Sequence, residues 1–187
     1  FYTFQAMTYV IDVYRESCPP QKSFSRLLLF ITFFPQLVAG PIVRYTDIED
    51  QLEYRRVSAK EINDGLYRFA IGMGKKVVFA NTCALAAENL FATTAGPTVL
   101  SSWGGILFYA LQVYFDFSGY SDMAIGLGHM FGFTFPENFD HPYISKNVTE
   151  YWRRWHMTLS GWFRDYVYIP LGGNRKGYMR MIFNLFV

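Results

Sequence analysis

Charge is scarce in this chain of 187 residues. Asp, Glu, Lys and Arg make up 17% of it, where ordinary soluble domains carry roughly 25%. The net charge is only +2, and the basic residues are interleaved with apolar stretches, which excludes a nucleic-acid surface. Cysteine is nearly absent as well. Cys18 and Cys83 lie far apart with no metal or redox spacing, so both are expected as buried free thiols. Three histidines without a pair at ligand spacing suggest no metal site, His129 and His141 being scattered. Gly126-Leu127-Gly128 follows no strand and carries no nucleotide signal. No internal repeat and no low-complexity segment is found.

What the chain has instead is grease. Apolar residues reach 51% and aromatics 20%, and this composition favours a membrane protein. The chain opens on Phe1 without an initiator Met and stops inside the apolar run Met181 to Val187, so it reads as an internal fragment of one domain, truncated at both ends. Phe1 to Tyr14 is expected to be the end of a membrane helix, and Glu16 to Ser25, with Pro19-Pro20, a polar loop. Leu27 to Val43 lacks any charge but is interrupted at Pro35 and Ala39-Gly40-Pro41. It reads either as a re-entrant segment or as a Pro-kinked span. Ser58 with Glu61 forms a capping box for a helix ending near Lys75-Lys76, expected to lie at the membrane interface. Val77 to Phe91 and Val99 to Phe115 are two further apolar stretches around a turn at Ala95-Gly96-Pro97.

No Lys or Arg occurs from Val77 through Ser145, whereas Arg44 to Lys76 and Lys146 to Arg180 hold seven each. The positive-inside rule places both basic flanks in the cytoplasm and the turn outside. The fold expectation is therefore all-α: a multi-pass helical membrane protein with interfacial and re-entrant segments. Asn147-Val148-Thr149 matches a glycosylation acceptor, but on the flank assigned to the cytoplasm the match is accidental.

Two patches carry chemistry. The first is Tyr114 to Asp122, where Asp116 and Asp122 flank Ser118, Gly119 and Tyr120. Carboxylates beside a long apolar run should face an interior or a water-filled cavity. On an unbroken helix they would point about 240° apart, so unwinding at Ser118-Gly119 is needed to turn both into one cavity. Pairing with backbone amides or an Arg is the alternative. The second patch is Tyr151 to Asn174. Asn147 is the expected N-cap with Glu150 three residues on. Trp152, Trp155, His156, Leu159 and Phe163 recur at helical spacing, which puts the imidazole on an aromatic face and predicts its burial. Such a histidine is either a hydrogen-bonded core residue or a catalyst. Arg153, Arg154 and Arg164 read as headgroup anchors, and Pro170 with Gly172-Gly173-Asn174 closes the patch in a turn.

Four motifs together resemble the membrane-bound O-acyltransferases: Phe34 through Ile42, Asp116 through Asp122, Phe139 through Tyr143, and Tyr151 through Ser160 continuing to Asn174. The nearest branch is that of bacterial alginate O-acetyltransferases, with teichoic acid D-alanyl transferases as cousins. The resemblance implies a funnel through a thin central layer of the membrane. Acyl groups from a cytoplasmic thioester, such as acetyl-CoA, would pass across it toward hydroxyls of an exported polysaccharide such as alginate.

It further implies location in the bacterial inner membrane, the bilayer and a periplasmic acetyl-transfer protein as partners, and no bound cofactor. His156 matches the first of two family histidines. The second, given the role of base, would lie a few tens of residues beyond Val187, so this stretch alone is expected to lack activity. Asp116, Ser118, Tyr120, Asp122, Trp152, Arg153, Trp155, Arg164, Asp165 and Asn174 are the residues expected to line or support the tunnel. Gly161 and Asp140-His141 depart from the family pattern. A transporter or channel, and a scaffold recruiting a polysaccharide-modifying enzyme, are the rival readings.

Overall fold

The capping residues named above end their helices as expected in the computed structural model, which describes residues 2–36, 40–92, 96, 98–175 and 177–186. Ser58 Oγ accepts the Glu61 N–H at 3.2 Å, and the Glu61 carboxylate accepts the Ser58 N–H at 2.7 Å. Asn147 Oδ1 accepts the Glu150 N–H at 2.8 Å. A further capping box, Thr98 with Ser101, starts the longest helix and was not anticipated. Among the described residues regular structure is helical, apart from one isolated antiparallel bridge between Phe139 and Trp155. The contacts divide the chain into two units, Arg55–Thr134 on the one hand and Phe1–Tyr54 with Phe135–Val187 on the other.

The unit Arg55–Thr134 is built on glycine. Helix α4 (Ala59–Gly74) passes through a π-helical turn, Lys75–Ala80, into α5 (Asn81–Phe91), and α6 (Val99–Met130) runs antiparallel to α4. A Cβ on Gly65 would lie 2.6 Å from the Gly126 carbonyl oxygen, and one on Gly72 would lie 2.5 Å from that of Gly119. Two glycine pairs, seven residues apart on each helix, therefore let the backbones touch. Charge locks the same seam. Asp122 binds Arg68 at 2.9 Å and Lys75 at 2.6 Å, and Asp116 binds Lys76.

The other unit holds α1 (Tyr2–Tyr14), α2 (Phe24–Thr32), α3 (Tyr45–Glu53), α7 (Val148–Arg154), α8 (Met157–Phe163) and α9 (Tyr178–Phe186). Phe30, Val43, Tyr45 and Ile48 are fully buried, and the Phe30 and Tyr45 rings meet edge to face at 5.4 Å. Helix α1 buries its polar side and exposes Met7, Val10 and Tyr14. Two of its inward groups are satisfied: Trp162 Nε1 donates to Thr8 Oγ1 at 2.7 Å, and the Tyr166 hydroxyl donates to the Asp12 carboxylate at 2.7 Å, whereas the Gln5 amide is buried without a hydrogen-bond partner among the described residues. Both cysteines are free and buried, as their spacing suggested.

The membrane expectation is corrected here. Among the described residues no helix is both long and apolar enough to cross a membrane. That finding overturns the multi-pass membrane fold with its interfacial and re-entrant segments. The bilayer as partner, the inner-membrane location, transfer across a membrane and the transporter rival fall with it. A span takes roughly 20 predominantly apolar residues. Helix α5 has 11 residues, and α2 has 9, ending before Pro35. Helix α6 has 32 residues, but glycines, serines, Gln112, Asp116 and Asp122 dilute its hydropathy. Residues 37–39 of the first motif and most of the turn 93–98 lie outside the described residues.

Candidate functional site around His156

The helix expected to run unbroken from Tyr151 stops at Arg154 and restarts at Met157. Trp155 is extended, and His156 takes left-handed backbone angles, φ 44° and ψ 53°, a conformation uncommon for a residue with a side chain. The cause is tertiary. Residues 138–140 dock as a short strand into the break: the Asp140 N–H donates to the Arg154 carbonyl at 2.9 Å, and the Met157 N–H donates to the Asn138 carbonyl at 3.0 Å. The Phe139 ring stands edge-on to Trp155 at 5.0 Å. The aromatic face inferred from spacing is therefore split. Trp152 and Phe163 are exposed, while His156, 7% exposed, is buried by the break rather than by a helix face.

Asn138 organises the imidazole. Its Oδ1 accepts from His156 Nδ1 at 2.9 Å, from the Thr158 hydroxyl at 2.9 Å and from the Thr158 N–H at 3.4 Å. The Thr158 Oγ1 acceptor site is taken by the Ile42 N–H at 3.0 Å, so its own proton points at Asn138. With three donors converging on Oδ1, the histidine proton sits on Nδ1, and Nε2 carries the lone pair. Burial pushes the imidazole down to about 4, so the ring is neutral near pH 7. Asn138, Thr158 and Ile42 were not singled out from the sequence. Asn138 stands between Glu137 and Phe139 in a loop, and amides in loops are common, so nothing in the sequence marked it.

Beside this knot, within the same unit, lies a cleft of about 890 Å³ whose lining includes Trp152, Arg153, Met157, Ser160, Gly161 and Arg164. A second cleft, of about 340 Å³, is lined by Ile42, Arg44, Asp47, Glu137, Thr158 and others. Three residues, Met157, Gly161 and Arg164, border both. Asp165 holds the arginines. Its carboxylate binds Arg164 Nε at 2.7 Å and Arg44 Nη2 at 2.7 Å. These bonds, that to Arg164 first, keep its carboxyl below the usual range. Arg44 is a partner the sequence reading missed, because 121 residues separate it from Asp165. The π-helical turn Arg164–Tyr168 follows α8 and leads into the predicted turn, where Asn174 is exposed and Asn184 of α9 donates to the Gly173 carbonyl at 3.0 Å.

The structure thus brings Trp152, Arg153 and Arg164 to one cleft, while Trp155, His156 and Asp165 line neither cleft, His156 and Asp165 being sequence neighbours of Met157 and Arg164, which do. Asn174 is not among the residues lining either cleft. Asp116, Ser118, Tyr120 and Asp122 belong to the other unit, on an α6 that does not unwind at Ser118-Gly119. Their carboxylates follow the alternative, pairing with Lys76, Arg68 and Lys75. Ser118 Oγ is buried without a hydrogen-bond partner, and Tyr120 is half-buried. Among the described residues no group of three or more His, Cys, Asp and Glu side chains converges as a metal site would.

Sequence comparison assigns the class. The chain belongs to the membrane-bound O-acyltransferase family, whose sequence profile matches residues 19–187. It is 50% identical over 187 residues, its whole length, to a protein of Pseudomonas fluorescens named "Probable alginate O-acetylase AlgI", of which it covers 38%. It is 40% identical to the peptidoglycan O-acetyltransferase of Helicobacter pylori, with 94% of the chain and 38% of that relative aligned. With the teichoic acid D-alanyltransferase of Bacillus subtilis it shares 34% identity over 90% of the chain and 44% of the relative. The chain therefore spans less than half the length of each of these relatives.

Proposed function

We propose that this chain forms part of an O-acyltransferase that moves an acetyl group from a thioester, such as acetyl-CoA, to a hydroxyl of a polysaccharide. The three relatives bear names that specify acyl transfer, two to oxygen and one of D-alanine, with polymers as the named substrates. The higher identity to the alginate O-acetylases favours acetyl over D-alanyl.

The observation that carries the reading is the bond from His156 Nδ1 to Asn138 Oδ1. It orients a neutral imidazole whose Nε2 is suited to accept the proton of an attacking hydroxyl, a role that the resemblance had given to the second family histidine. As the hydroxyl oxygen bonds to the thioester carbonyl carbon, the carbon–sulfur bond breaks. The proton held on Nε2 then passes to the departing thiolate, giving an ester and a thiol. Burial disfavours the imidazolium, which makes His156 a brief carrier of the proton rather than a store. In the cleft, Arg153 and Arg164 are suited to an anionic carrier group, and Trp152 supplies an apolar wall. Asp165 fixes Arg164 and Arg44.

The test is His156→Ala in the full-length protein, assayed with labelled acetyl thioester and polysaccharide. Loss of at least 100-fold in transfer, with expression and thermal melting retained, is the expected result. Unchanged transfer would assign His156 to the core alone, and lost transfer with partner assembly retained in the variant would argue against the scaffold reading.

A further inference from the structure

Glycine is a poor choice inside a helix, because it gives up more backbone freedom than alanine does. The glycines of the α4–α6 seam offset that cost with backbone contact, since any Cβ there would collide with a carbonyl oxygen. Gly161, in the middle of α8, has no such reason. A Cβ built on it would meet one atom within 4 Å, Arg44 Nη2 at 3.5 Å, an ordinary contact. Nor is its φ positive. The fold would accept a side chain at this position.

What Gly161 does border is open space on two sides. It lines both the 890 Å³ cleft and the 340 Å³ cleft. A side chain here would project toward Arg44, which lines the smaller cleft, and so take up space beside the residues that the two clefts share. We propose that Gly161 is a specificity-determining residue. Its missing side chain keeps the two clefts joined over α8, so that the acyl thioester lies across this point, and the clearance there limits the size of the group that fits. The inference rests on the acyl-transfer reading above for the identity of the ligand. The chemistry of the lining suits an extended molecule whose anionic end lies in the larger cleft, where Trp152, Met157 and Phe163 offer apolar surface and Arg153 and Arg164 offer cations, whereas the smaller cleft sets Asp47 and Glu137 beside Arg44.

The experiment compares wild type, Gly161→Ala and Gly161→Leu in the full-length protein, with acetyl-CoA and butyryl-CoA as probes. Thermal melting, direct binding by calorimetry, KM and kcat are read for each. The expected result is a melting temperature for Gly161→Ala equal to or above wild type, a KM for acetyl-CoA raised several-fold, and a larger loss for butyryl-CoA. Gly161→Leu should lower binding of both probes at least 50-fold while remaining folded. Unchanged binding and unchanged acyl selectivity in both variants would overturn the inference, as would a drop in melting temperature for Gly161→Ala, which would show that the fold itself needs the glycine. If wild type binds the probes but transfers nothing, the proposed function fails while the binding comparison still decides the role of Gly161. If wild type binds neither probe, the inference fails too.

Discussion

At the scale of single residues, the site depends on one amide. Asn138 is buried, and its Oδ1 receives the His156 ring proton and the Thr158 hydroxyl. Asn138→Ala leaves the buried His156 N–H and the part-buried Thr158 hydroxyl without this acceptor, at a cost of about 1–3 kcal/mol for the buried donor. Urea denaturation of the full-length protein should show a loss of that order, and a loss below about 0.5 kcal/mol would remove Asn138 from its organising role.

His156 itself imposes a pH dependence. Its folded value of about 4 lies below the ordinary 6.5, so the unfolded chain takes up the proton first as the solution is acidified. Stability from the neutral ring is complete above pH 6.5 and is lost as pH falls to 4, by at most about 3 kcal/mol. Replacing the ring by glutamine should flatten this part of the stability curve and leave the carboxylate-driven part below it. Identical curves for wild type and His156→Gln would contradict the buried neutral ring.

At the scale of elements, two junctions matter: the α4–α6 seam and the break between α7 and α8. In the seam, Gly72→Ala and Gly126→Ala each push a methyl against a backbone carbonyl oxygen, at 2.5 and 2.6 Å respectively, and neither helix can yield without parting from the other. Each is expected to destabilise by about 2–4 kcal/mol, although alanine is the better helix former. A circular-dichroism melt that shows either variant more stable than wild type would refute the close approach. The contrast with Gly161→Ala separates a glycine needed for contact from one needed for space. The break between α7 and α8 was invisible to periodicity because Trp152, Trp155, His156, Leu159 and Phe163 have helical spacing whether or not the helix is continuous. Only the docking of residues 138–140 ends α7 at that point.

At the scale of the whole molecule, the likeness to the alginate O-acetylases makes acyl choice the sharpest test. Offered acetyl and D-alanyl thioesters in competition, the full-length protein should transfer acetyl at least 10-fold faster, as read from labelled product. Equal transfer, or a preference for D-alanine, would move the reading toward the teichoic acid relative.

Composition, capping boxes, isolated cysteines and the four ordered motifs were properties of the chain alone, since each depends on residue identity over a few positions. They were enough to establish the helical class and the family; His156 is buried as expected, but by the break between α7 and α8 and not by the helix face that its spacing implied. Hydropathy read along the chain overreached, because it credits apolar residues in a segment whether its helix is 11 residues long or interrupted before it can span. Which arginine meets Asp165, which amide holds the imidazole, and which residues line both clefts were decided by contacts between residues distant in sequence. Such contacts exist only once the backbone has closed on itself.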